Sequence, residues 1–125
     1  MKAAVTTKAG NPEVIEVREV AIPQVKLGWV LIKVKAFGLN RSELFTRRGD
    51  SPGVRFPRIQ GIECGGTIEE DPSNTFQKGQ QVFAIMGGMG RSFDGGYAEY
   101  TLAPLEIVFP FRSALSWDIL GAIPE

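Results

Sequence analysis

Apolar and polar residues alternate most regularly over residues 29–39, where Val30, Ile32, Val34 and Ala36 fall on one face and Lys33 and Lys35 on the other. That period of two marks a half-buried β-strand. Further strands are predicted at residues 2–6, 14–20, 64–70, 81–86, 97–102 and 107–109. In the segment 14–20, Ile15 and Val17 alternate with Glu16 and Arg18, which predicts a half-exposed strand. The period changes at Asn40. Asn40 followed by Glu43 matches a capped helix start, with Leu44 and Phe45 next and Gly49 closing the segment. Residues 50–60 read as a loop, since Pro52, Gly53 and Pro57 break regular structure. Asp71-Pro72-Ser73-Asn74 reads as a turn, residues 87–96 as a long flexible glycine-rich loop, and Ser116 as the cap of a short closing helix. Short strands separated by glycine and proline turns predict a mainly β fold, a partly open β-barrel with short helices.

Composition narrows the function classes. A chain of 125 residues is the size of one domain. Its 14 basic and 14 acidic residues cancel, which argues against nucleic acid as a partner. No apolar run approaches the length of a membrane span, and the first residues lack a signal-peptide core. One cysteine, Cys64, excludes an internal disulfide and points to a reducing, cytoplasmic setting. With no histidine and one thiol, the chain cannot assemble a zinc ligand set, so no metal is expected.

The stretch Gly61-Ile62-Glu63-Cys64-Gly65-Gly66 sets one carboxylate among glycines, where a backbone or a ligand can come close. Burying Glu63 unpaired is costly, so a basic partner or backbone donors are expected beside it. Cys64 reads as a small buried side chain. Gly88-Met89-Gly90 opens like a dinucleotide fingerprint, but Phe93 stands where the third glycine belongs and no βαβ unit surrounds it.

Several blocks, in order, resemble the medium-chain dehydrogenase/reductases, in their zinc-free quinone-oxidoreductase-like branch. They are Met1-Lys2-Ala3, then Gly38-Leu39-Asn40-Arg41-Ser42-Glu43-Leu44 with Arg47 and Gly49, then Phe56-Pro57. Gly61-Ile62-Glu63 with Gly66, Gly79-Gln80-Gln81-Val82 and Gly96-Tyr97-Ala98-Glu99-Tyr100 follow. The resemblance implies that residues 1–125 are a GroES-like catalytic domain, without the C-terminal dinucleotide-binding domain of such enzymes. Asn40 and Ile62 stand where zinc-dependent relatives carry cysteine and histidine. Glu43 replaces the usual aspartate, and Phe45 a frequent tyrosine.

The activity implied is reduction of a quinone or enone by NADPH or NADH, held mainly by the absent domain, with a homodimer open as the full-length state. Without zinc, donors must stabilise the oxygen that gains charge, which makes Asn40 and Ser42 the catalytic candidates. Asn40, Arg41, Glu43 and Phe45 are the implied cofactor contacts, with the Arg41 fork suited to phosphate oxygens. Ile62, Glu63, Met86, Met89 and Phe93 are the implied acceptor pocket. Simple capping by Asn40 and Glu43, and a solvated Arg41, are the plainer readings of the same residues. A non-enzymatic GroES-like assembly module and a zinc-type alcohol dehydrogenase fragment remain as alternatives.

Overall fold

The computed structural model describes all residues, Met1–Glu125. The predicted strands form as β1 (Lys2–Thr6), β2 (Ile15–Glu19), β3 (Trp29–Ala36), β5 (Glu63–Glu70), β6 (Gln81–Ile85), β7 (Tyr100–Pro104) and β8 (Val108–Pro110). The predicted helix is α1 (Arg41–Arg48), and α2 (Trp117–Leu120) follows Ser116. A two-residue strand, β4 (Arg58–Ile59), lies inside the expected loop and pairs with β1. Two residues leave no period to read.

All pairings are antiparallel, in a three-stranded sheet β2-β1-β4 and a five-stranded sheet β7-β3-β5-β6-β8. An Ala3–Ala98 bridge and the bond from Ala4 N–H to Tyr97 O, 2.9 Å, join the sheets. The result is the expected mainly β, partly open barrel with short helices. Val30, Ile32, Cys64, Ile68, Val82 and Ala84 turn to one side and form its principal core with Met89 and Val108. Each large aliphatic side chain buried there contributes about 1.5–3 kcal/mol relative to exposure. No helix is long and apolar enough to cross a membrane.

Four expectations change. β3 ends at Ala36, not at residue 39, because its pairing with β5 shifts register after Val34 and the chain then turns into α1. β2 is exposed at all five positions, Val17 at 75%, since an edge strand of the small sheet has neither face covered. The strand expected from residue 97 begins only at Tyr100, and residues 105–107 form a 3-10 turn before β8.

Residues 87–96 are a packed loop, and the flexibility expected of them is not what holds them. Gly90, Gly95 and Gly96 are buried, and Gly95 lies so close to Gly61 that an added Cβ would stand 2.1 Å from Gly61 O. Glycine serves here for close backbone approach.

Candidate functional site

The site is built around the N-terminus of α1. Asn40 has extended backbone angles, as an N-cap residue should, and Gly49 ends the helix at φ 91°. Glu43 binds three separate segments. Its Oε2 accepts from the Asn40 backbone N–H at 2.8 Å and from the Tyr97 hydroxyl, while Oε1 accepts from the Ile62 N–H at 2.9 Å. Behind it, Thr6 Oγ1 donates to Gln60 Oε1 at 2.7 Å, and Gln60 Nε2 donates to Glu43 O at 3.0 Å. Glu43, 6% exposed, thus ties α1 to the start of β5 and to the turn at Tyr97. Burial and the neighbouring Glu43 raise the Tyr97 pKa, so its hydroxyl stays a donor.

Glu63 differs. It is 2% exposed; Oε1 accepts from Asn40 Nδ2 at 3.3 Å, and Oε2 is buried with no partner. No cation lies within ion-pairing distance, so of the basic partner or backbone donors expected, only the backbone of Gly38 is there. Desolvation pushes its pKa up, opposed by the Asn40 hydrogen bond and reinforced by the charges of Glu125 and Glu43. Gly38 allows this approach, because a Cβ there would come 1.9 Å from Glu63 Oε1.

A cavity of about 360 Å³ opens beside these groups, walled in part by Leu39, Asn40, Arg41, Glu43, Arg47 and Tyr97. Arg47 is 7% exposed, and its Nε has no partner. Arg41 is exposed at the rim. Ser42 and Phe45 are exposed on α1 and lie outside the lining. The five acceptor-pocket candidates are joined through the backbone, with Met86 N–H on Ile62 O at 2.7 Å and Met89 N–H on Met86 O at 3.1 Å, but their side chains diverge. Ile62 is buried, with its N–H on Glu43, and Met89, 1% exposed, belongs to the principal core. Met86 is 55% exposed and holds a left-handed backbone, φ 58°, at the end of β6. Phe93 packs edge-on against Trp29, ring centres 5.0 Å apart, in the wall of a different cavity.

Cys64 is fully buried, and desolvation pushes its thiol up to about 12, which leaves it unreactive. Tyr97, Gln60, Thr6 and Arg47 were not anticipated as members of the site. Arg47 and Tyr97 left a trace, inside the blocks that carry the family resemblance. Thr6 and Gln60 are brought in by the chain on either side of the β1–β4 pairing.

Residues 26–113 match the family described as the alcohol dehydrogenase GroES-like domain. The chain is 36% identical to human quinone oxidoreductase over 127 aligned positions, covering 98% of this chain and 37% of that protein. It is 34% identical to a zinc-type alcohol dehydrogenase-like protein of Schizosaccharomyces pombe, covering 87% of this chain and 33% of that one. It therefore spans little more than a third of the curated relatives it matches. A solved NAD-dependent alcohol dehydrogenase superposes with a TM-score of 0.89 at 26% identity, over 99% of this chain and 43% of that one. The match over most of its length and the barrel it folds into place this chain in the alcohol dehydrogenase GroES-like domain family, among the medium-chain dehydrogenase/reductases.

Proposed function

We propose that the chain is the substrate-side domain of a zinc-independent quinone or enone reductase that uses NADPH or NADH. The observation that carries this reading is the Asn40 amide. One of its N–H groups is held by Glu63, and the other has no acceptor at the wall of the smaller cavity. A fixed donor of this kind can stabilise oxygen that gains negative charge, an effect of roughly 3 kcal/mol per donor. Glu43 fixes the turn that presents it, and Glu63 fixes the amide plane. The nicotinamide cofactor, when bound, supplies the hydride. Arg41 at the rim and the buried Arg47, whose Nε lacks a partner, suit its phosphate oxygens.

Zinc independence is supported by the residues themselves. The chain has no histidine, its one thiol faces the core, and no three His, Cys, Asp or Glu side chains cluster anywhere. The test is to join this chain to the dinucleotide-binding domain of the human quinone oxidoreductase and follow NADPH oxidation with 1,4-benzoquinone. Turnover that is unchanged by a chelator, with sub-stoichiometric zinc by elemental analysis, is expected. Stoichiometric zinc with activity lost on chelation would overturn the proposal, as would full turnover by residues 1–125 alone.

A further inference from the structure

A second, half-open cavity lies away from the Asn40 site. Its volume of about 570 Å³ exceeds the 360 Å³ of the first and is within the ordinary range for small-molecule sites. It lies across the small sheet from that site. Val5 and Ile59, paired across β1 and β4, line it. Their neighbours Thr6 and Gln60 carry the hydrogen bonds that lead to Glu43. No residue lines both cavities.

Its lining combines aromatic surface with basic charge. Trp29, Phe93 and Tyr100 provide the rings. Phe93 meets Trp29 edge-on, at 83° between planes, and Lys26 Nζ stands 4.5 Å from the centre of the Trp29 ring. The remaining charges pair off: the Met1 amino group with Glu19 at 3.4 Å, Arg18 with Glu16, and Arg58 with Asp94 at 2.9 Å. Lys26 is left as the one lining cation without a carboxylate. Arg58 uses only Nη1 among its side-chain donors, and its buried Nε has no partner. The cavity thus carries one uncompensated positive charge, spare guanidinium donors and three aromatic walls.

We propose that this cavity is a second ligand site, selective for a small flat aromatic monoanion such as an arenecarboxylate. Rings of the ligand bury against Phe93 and Tyr100, and its carboxylate meets Lys26 and the free donors of Arg58. The proposal does not depend on the reductase reading, because no residue of the Asn40 site takes part.

The probe is 2-naphthoate, titrated into the chain while Trp29 fluorescence and backbone amide shifts are followed. A Trp29→Phe variant reports the background from Trp117, which packs elsewhere against Phe111. Saturable binding is expected, with shifts concentrated at Ile59, Phe93 and Thr101. The neutral isostere 2-naphthylmethanol and the Lys26→Met variant should each weaken it about tenfold. Lys26 is exposed, so Lys26→Met should melt with the parent. No saturable change up to roughly 5 mM, a range in which binding of a few kcal/mol is seen, would overturn the proposal. So would equal binding of the neutral isostere, undiminished binding by Lys26→Met, or shifts centred on Asn40 and Tyr97.

Discussion

Glu63 and Asn40 meet at 3.3 Å, Nδ2 to Oε1, and this is the one side-chain hydrogen bond that the buried Glu63 carboxylate accepts. A carboxyl raised by burial holds more protons in the folded chain than in the unfolded one. Its native state is therefore penalised as pH rises through the window that begins at the usual value of 4.5. Below that value both states are protonated and the penalty vanishes. Glu63→Gln removes the titration, so the melting temperature of the variant minus that of the parent should increase as pH rises from roughly 4 to roughly 8. A difference that stays flat or decreases with pH would show that Glu63 is not desolvated.

Glu43, by contrast, is saturated with donors. Glu43→Ala would strand the N–H groups of Asn40 and Ile62 and the hydroxyl of Tyr97. With about 1–3 kcal/mol for each of the three stranded donors, a total loss of roughly 3–9 kcal/mol is expected. Tyr97→Phe removes one donor and leaves the others paired, so it should cost only about 1.5–3 kcal/mol. Urea denaturation of the two variants gives the order directly. Equal losses would mean that the tie from α1 to Ile62 contributes little.

The contrast between these two carboxylates bears on what sequence can reveal. The capped helix was legible, because Asn40 and Glu43 act within one turn of chain and Gly49 closes the same short segment. The strand faces of β3 were legible from their period. Glu63 was legible as a costly group, but its neighbours were not, since Asn40 lies 23 residues away. The side chains proposed for the acceptor pocket diverge for a related reason. Met89 and Phe93 sit close in sequence, yet Met89 is buried within the principal core while Phe93 packs on its flank and edge-on to Trp29. Apolar residues in a loop carry no period, so nothing in the chain says which way each one faces.

The same loop yields a test of packing. Gly95→Ala would drive a Cβ to 2.1 Å from Gly61 O and 2.7 Å from Gly90 Cα, both backbone atoms that cannot swing aside. Overpacking of this kind costs about 1–3 kcal/mol, and the upper end is expected where backbone meets backbone. Gly53→Ala is the control, because its φ is 79° with nothing within 4 Å, leaving only the left-handed strain of about 1–2 kcal/mol. Gly95→Ala should therefore melt below Gly53→Ala. The reverse order would mean that residues 87–96 are loosely held after all.

The last prediction concerns Asn40 in the chain joined to a dinucleotide-binding domain. Asparagine at this position has two separable duties, to begin α1 and to present an N–H at the wall of the smaller cavity. Aspartate begins helices equally well, but here it would stand beside the buried Glu63 carboxylate, which has no ion-pair partner. Its effect would mix repulsion with loss of the donor. Serine keeps the cap, adds no charge and removes the amide. Asn40→Ser should fold but melt below the parent, by about 1–3 kcal/mol, because Glu63 Oε1 loses the one side-chain donor it has. Its rate of quinone reduction should nevertheless drop by roughly 10²-fold if the amide stabilises the acceptor oxygen. The drop should appear in kcat as well as in kcat/KM, since the interaction is made chiefly as charge develops. Rates, KM and melting temperature measured on one preparation separate the two duties. A folded Asn40→Ser enzyme with an undiminished rate would leave Asn40 as a helix cap and remove it from the chemistry.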